Sequence, residues 1–330
     1  MSATRLSLFL EDHPGLLPES GEIAVMGAVS GLDLSGLPAN RLRIVARMKP
    51  DVDHLEASGL SVVADVPQEA ALAIVIVPRA KPEARALVAA AMACAGEVIV
   101  DGQKTDGIES LFREMRQRCA CGEAYSKAHG KTFLARGTPE AFADWAQAGG
   151  PRVIEGGFST RAGVFSADGI DPASRLLAAA LPERPGAHVV DLGGGWGYLA
   201  AAILERGGVE QVDLVEADRV ALDCARENLS DGRVRFHWAD ATRWMPETRA
   251  DAVVMNPPFH AGRKGQPELG ARFIAQSARM LAPGGRLWMV ANRHLPYEKA
   301  LRTHFREVAE IGGDTRFKVF CASGPSRTGG

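Results

Sequence analysis

Four glycines fall within five positions in Asp191-Leu192-Gly193-Gly194-Gly195-Trp196-Gly197. Glycine costs about 0.5–1 kcal/mol relative to alanine inside a helix or strand, so neither element runs through this stretch. The apolar run His188–Leu192 predicts a strand before the turn, and Tyr198–Arg206 predicts a helix after it. A strand–glycine turn–helix unit lets backbone pass close to a bound molecule, where a Cβ would collide. Further strands are expected at Gln211–Glu216, Val234–His237, Asp251–Met255, Arg286–Ala291 and Lys318–Cys321. Helices fit at Ala173–Leu181, Arg219–Leu229, Gly270–Met280 and Tyr297–His304. This alternation predicts an α/β fold: a mainly parallel sheet with helices on both faces.

The first half repeats the alternation. Strands are expected at Ile23–Met26, Arg43–Ala46, Ser61–Ala64, Ala73–Val77 and Glu97–Val100, with helices at Pro82–Cys94 and Ile108–Cys119. Gly149-Gly150-Pro151 marks a boundary, dividing the chain into domains 1–150 and 151–330. At 330 residues each half can bury its own core. The halves also share a pattern: an apolar strand, a proline turn with a basic residue soon after, a helix, a glycine (Gly96 or Gly285) and another strand. In this pairing Val77 of the first half stands where the second has Asn256, and the first half lacks the glycine cluster. The alternative is that any two α/β domains look this similar.

No apolar run approaches the ~18 residues needed to cross a bilayer, and Ala86–Ala95 reads as a packed helix. The N-terminus lacks the basic, apolar, small-residue order of a signal peptide. Five cysteines without a C-x-x-C pair suit free thiols in a reducing cytosol, so no metal site is expected. The expected location is cytoplasmic. A net charge of −2 argues against a protein that coats nucleic acid nonspecifically. The halves carry −4 and +2, which permits a local basic patch in the second.

Chemistry is concentrated at strand ends. A nicotinamide-binding turn, G-x-G-x-x-G, would need glycine at 198, where the chain has Tyr198. Glu216 ends the next strand 25 residues after Asp191, where a carboxylate can accept both ribose hydroxyls of a nucleoside. Glu216 or Asp218 can alternatively cap the following helix. Asp240 is a third acid after a third strand. The most informative stretch is Asn256-Pro257-Pro258-Phe259-His260. Two prolines cannot continue a sheet and leave a stiff turn. The Asn256 side-chain oxygen and the Pro257 carbonyl are then two fixed acceptors, matching the two N–H donors of an amine conjugated to a flat ring. Positive charge grows on that nitrogen as it attacks an electrophile, so the same acceptors favour the transition state. Phe259 offers a stacking face worth ~1–3 kcal/mol. A histidine beside such a turn is more often structural than catalytic, and His260 is read that way.

The D-x-G-x-G-x-G turn resembles the first motif of class I S-adenosylmethionine methyltransferases. Asn-Pro-Pro-[Phe/Tyr] occurs across those that modify planar amines of DNA, RNA and protein glutamine. Three stretches narrow the resemblance: Gly163–Asp171, matching F-S-x-D-G-x-D; Asn256–Gly262, N-P-P-F-H-x-G; and Val290–Tyr297 followed by Phe317–Val319. Together they are similar to the bacterial ribosomal RNA guanine-N2 methyltransferases, small-subunit type, closely over about 160–320 and more loosely over 20–140.

The resemblance implies two Rossmann-like domains, a degenerate N-terminal one and a catalytic C-terminal one. It implies S-adenosylmethionine as cofactor, bound by Phe165, Ser166, Asp168, Asp191, Gly193, Gly195, Glu216, Asp240 and Asn256. Asn256, Pro257, Pro258 and Phe259 would be catalytic. Phe259, Arg263, Lys264, Arg293 and Lys318 would contact substrate, the four cations as phosphate partners by charge and placement. The expected partner is ribosomal RNA or a ribosomal subunit, engaged by a monomer, with the target base unpaired or flipped. Ala167 departs from the Arg that many relatives carry, and the N-terminal half is short, which puts its grip on RNA in doubt. Other acceptors are large-subunit guanine, adenine in RNA, or protein glutamine, though enzymes for the last usually carry Tyr where this chain has Phe259. A vestigial ribosome-assembly module is the non-enzyme alternative, and the intact Asp191, Gly193, Gly195, Glu216 and Asn256 speak against it.

Overall fold

The computed structural model describes residues 4–326, apart from 259, 262, 263 and 266. The chain divides into two compact units, Met1–Pro151 and Arg152–Gly330.

In the first unit the strands are β1 (Ile23–Met26), β2 (Leu42–Val45), β3 (Val62–Val63), β4 (Leu72–Ile76), β5 (Glu97–Gln103), β6 (Ala120–Cys121), β7 (Tyr125–Lys127) and β8 (Gly130–Arg136). They form one sheet in the order β3-β2-β1-β4-β5-β8-β6, with β7 also on β8. The first five are parallel, and β8 runs antiparallel to β5. All four residues of β1 are buried, as expected of a parallel strand covered on both faces. The helices are α1 (Arg5–Asp12), α2 (Lys49–Ala57), α3 (Lys81–Cys94), α4 (Ile108–Met115) and α5 (Ala143–Gly149). The buried face of α1 includes Arg5 and Ser7. Arg5 pairs with Asp101 at 2.8 Å and donates to Thr132, which lets a charged residue sit inside.

In the second unit a short pair, β9 (Arg152–Val153) and β10 (Ser159–Thr160), precedes α6 (Pro172–Ala180). The rest runs β11 (His188–Leu192), α7 (Tyr198–Leu204), β12 (Gln211–Glu216), α8 (Arg219–Asn228), β13 (Val234–Trp238) and β14 (Ala250–Met255). A small ribbon follows, β15 (His260–Ala261) with β16 (Lys264–Gly265), then α9 (Pro267–Met280), β17 (Leu281–Asn292), α10 (Tyr297–His304), β18 (Phe305–Gly313) and β19 (Phe317–Pro325). The sheet order is β13-β12-β11-β14-β17-β19-β18. Again five strands are parallel, and β19 is antiparallel to its neighbours.

Both sheets therefore place their strands in the same sequence, and the equivalence extends to single residues. Gly27 N–H donates to the Val45 carbonyl in the first unit, as Gly193 N–H does to Val215 in the second. Gly27 and Gly193 have φ of 75° and 79°, and Gly31 and Gly197 have 83° and 96°. The first turn thus keeps two of the glycines, which the sequence comparison missed. At Gly27 a Cβ would lie 2.4 Å from the Ile76 carbonyl oxygen, so the turn tolerates nothing larger. From these anchors Val25 matches Asp191, Val29 matches Gly195 and Ala46 matches Glu216. The strand registers put Ile76 level with Asn256, one residue before the Val77 suggested by aligning the prolines. The first unit is a degenerate copy: it keeps the sheet and replaces each of these polar or open positions with an apolar side chain.

One polar cluster lies within the second sheet. The Asp213 carboxylate is buried and faces His188 Nε2 at 2.6 Å, His237 Nε2 at 2.9 Å and Gln211 Nε2 at 3.0 Å. Burial alone would raise its pKa, but these hydrogen bonds outweigh burial and hold the carboxyl well below the usual range. The ionised form is favoured by folding, so its stabilisation is complete above the unfolded value of ~3.9 and fades as pH falls towards the folded one. Asp213→Asn should cost about 1–3 kcal/mol at pH 7, with the gap from wild type narrowing below pH ~4. Urea unfolding followed by tryptophan fluorescence checks this, since Trp196, Trp238, Trp244 and Trp288 report on this unit.

Candidate active site

Ligands of parallel α/β sheets bind beyond the carboxyl ends of the strands. In the second unit β11, β12 and β14 end side by side, and a pocket opens there. Its walls are the glycine turn Gly193–Trp196, Tyr198 and Leu199 of α7, Asn256 after β14, and Phe165, Ser166, Asp171 and Ser174 from the segment leading into α6.

Asp191 is fully buried, and neither carboxylate oxygen has a hydrogen-bond partner. Burial, reinforced by the nearby Glu216, pushes its pKa up to about 7. Glu216 accepts from Gly195 N–H at 2.8 Å with one oxygen and from Asp218 N–H at 2.7 Å with the other. It does not cap α8. Asp218 does, accepting from Val220 N–H at 3.0 Å. Burial pushes Glu216 up to about 7 as well. A Cβ at Gly195 would meet nothing within 4 Å, so the space over the turn is open. These features fit S-adenosylmethionine, the cofactor implied by the sequence: an open glycine cradle, a carboxylate at the second strand end, and a buried acid without a partner.

Asn256 is half-buried. Its Nδ2 donates to Asp171 Oδ2 at 2.9 Å and to Ser174 Oγ at 2.8 Å, while Oδ1 is buried without a partner. Pro257 is buried and Pro258 exposed. Phe165 stands 61% exposed at the pocket, its carbonyl held by Trp196 Nε1 at 2.9 Å. Ser166 has a φ of 53° and donates through Oγ to the Gly169 carbonyl at 2.7 Å.

Other expected residues lie elsewhere. The Asp168 side chain is 89% exposed and pairs with Arg152 at 2.7 Å, so it does not cover the pocket. The Oδ1 of Asp240 is taken by Thr242, from N–H at 2.8 Å and Oγ1 at 2.7 Å, and the residue, like Asp191 and Glu216, is not part of the pocket wall. Lys318 is buried, paired with Glu298 and within reach of the Leu295 carbonyl, and is therefore not a phosphate contact. Arg293 ties down a strand connection through Asp314, Glu310 and Phe317. Phe259, Arg263 and the Lys264 side chain lie outside the described residues. Sequence reasoning quoted Asp171 within a motif without giving it a role, and it passed over Ser174. The signal was available: Asp-x-x-Ser at the start of α6 is a capping spacing, and Asp171 Oδ2 does accept from Ser174 N–H at 2.8 Å.

A family model described as the methyltransferase small domain matches residues 155–321. A large-subunit ribosomal RNA methyltransferase G from Alcanivorax borkumensis is 34% identical over 174 residues, 51% of this chain and 44% of that protein. A small-subunit ribosomal RNA methyltransferase C from Hahella chejuensis is likewise matched over 48% of its length, so the chain spans about half of these relatives. A second small-subunit methyltransferase C, from Shewanella amazonensis, is 28% identical across 75% of both chains. Among solved structures, a T. thermophilus 16S rRNA N2 G1207 methyltransferase in complex with AdoMet and guanosine aligns with a TM-score of 0.78. That alignment covers 98% of this chain and 92% of that one at 24% identity, a likeness of fold.

Protonation of the raised Glu216 carboxyl would compete with a ligand whose hydroxyls it accepts from. S-adenosylmethionine affinity, measured by calorimetry, should therefore weaken as pH falls below about 7, by up to about tenfold per unit. Glu216→Gln should weaken binding at pH 8 and flatten that dependence.

Proposed function

The chain belongs to the methyltransferase small domain family, and from that premise we propose that it methylates the exocyclic N2 amine of a guanine in ribosomal RNA of the small subunit. The observation that carries this is the unpartnered, buried Oδ1 of Asn256 in the wall of the glycine-turn pocket. A buried acceptor without a partner costs about 1–3 kcal/mol, and a substrate donor recovers it.

S-adenosylmethionine, when bound, supplies an electrophilic methyl group. The glycine turn and Glu216 would hold it, with Phe165 and Ser166 at the pocket wall. Asn256 Oδ1 and the Pro257 carbonyl accept the two N–H groups of the target amine and fix the nitrogen. Charge developing on that nitrogen strengthens both hydrogen bonds, so their stabilisation is greatest at the transition state. No strong base is required, because the alkylated nitrogen releases its proton readily to solvent. Fixing the amine provides most of the rate.

Several findings support the acceptor. Relatives matched over half of the chain, and over three quarters of it, are named as ribosomal RNA methyltransferases. The similar T. thermophilus fold holds AdoMet and guanosine. The small subunit is favoured by relatives of that type, which match across 75% of this chain. A ribosomal RNA or subunit is accordingly the partner. No helix among the described residues is long and apolar enough to cross a membrane.

Asn256→Ala should lower methyl transfer to under-methylated ribosomal RNA by about 10²–10³-fold. Cofactor affinity should stay within about twofold, because the side chain grips the amine. Labelled methyl incorporation and calorimetry read the two quantities. Calorimetry should also give one cofactor per chain, since Val25, Val29 and Ala46 replace the second unit's site residues in the first.

A further inference from the structure

The two ends of an asparagine amide are nearly the same size and differ in sense: Oδ1 accepts and Nδ2 donates. Which end Asn256 turns towards the target decides whether the site takes an amine or a carbonyl. A proline turn fixes the backbone and leaves that choice open. The neighbours make it. Asp171 Oδ2 and Ser174 Oγ receive the two Nδ2 hydrogens at 2.9 and 2.8 Å. In the reversed orientation Oδ1 would face the Asp171 carboxylate, exchanging an attractive contact for a repulsive one.

We propose that Asp171 is a positioning residue that, with Ser174, fixes the amide orientation of Asn256 so that the pocket presents an acceptor. The assignment rests on the amine-methylating function proposed above and adds a specificity device to it. Asp171 is suited to the task because it is itself immobilised. As N-cap of α6 it accepts from Ser174 N–H at 2.8 Å with the same Oδ2 that receives Asn256. Ser174 is buried, so its hydroxyl is confined to this cluster. Asp171 follows closely on Phe165 and Ser166, so the segment that walls the cofactor pocket also sets the sense of the amine grip.

The test separates capping from positioning. Serine caps a helix about as well as aspartate, but its hydroxyl is one atom too short to reach Asn256 in place of Oδ2. Asparagine keeps both the length and an acceptor. In Asp171→Ser, kcat for methyl transfer to under-methylated ribosomal RNA should fall about tenfold or more, with S-adenosylmethionine affinity and melting temperature close to wild type. Asp171→Asn should recover most of that loss. An Asp171→Ser enzyme with wild-type kcat, or an Asp171→Asn enzyme as slow as Asp171→Ser, overturns the assignment. If Asp171→Ser does not fold, Ser174→Ala removes one acceptor while leaving the Asp171 carboxylate. It should lower kcat about threefold at unchanged cofactor affinity, and an unaltered kcat counts against the proposal. An inactive Asn256→Ala beside a fully active Asp171→Ser removes the positioning role alone. An active Asn256→Ala removes the amine grip with it.

Discussion

The parallel register of β12, β11 and β14 is the constraint on which the site depends. It brings three strand ends to one edge of the sheet, which is how Asp191, Glu216 and Asn256 become neighbours despite their separation in sequence. The hydrogen bond from Gly193 N–H to the Val215 carbonyl turns the chain away at that edge and opens the space above it. Everything chemical then sits on short turns held by a rigid sheet, where a small shift of backbone would misplace an acceptor.

The second unit bears a cost for this arrangement. Asp191 is buried without partners, the Asn256 oxygen likewise, and two carboxyls are pushed up to about 7. The first unit shows the same sheet relieved of that cost. Valine stands for Asp191, alanine for Glu216 and isoleucine for Asn256, each compatible with an apolar surrounding. Retention of Gly27, where a Cβ would strike the Ile76 carbonyl, shows what the fold itself requires of that turn. At Gly195, by contrast, a Cβ would meet nothing within 4 Å, so packing does not require glycine there.

Much of this was legible in the sequence, for identifiable reasons. Buried parallel strands are runs of Val, Ile and Leu, and β1, β11 and β12 were placed to the residue. Two of the elements that escaped have mixed faces. α1 buries Arg5 and Ser7, and β18 exposes most of its residues at the sheet edge. The position of the pocket was legible where a residue type has few other uses, as with the glycine turn and Asn256. Lys318, chosen by charge and placement, and Asp168, carried over from the motif resemblance, were misread. Lys318 is spent on Glu298, and Asp168 on Arg152, pairings set by tertiary neighbours that no local pattern encodes. Asp171 was the converse case, a motif residue given no role, whose contact with Asn256 only the folded chain reveals.

The most direct measurement is mass spectrometry of nucleosides from small-subunit ribosomal RNA, taken from a strain lacking this gene and incubated with the purified protein and isotope-labelled S-adenosylmethionine. Label in N2-methylguanosine is the expected result, absent when the protein carries Asn256→Ala. Label in N6-methyladenosine, label in protein alone, or no incorporation under conditions where the cofactor binds would contradict the assignment of a guanine amine to the Asn256 acceptor.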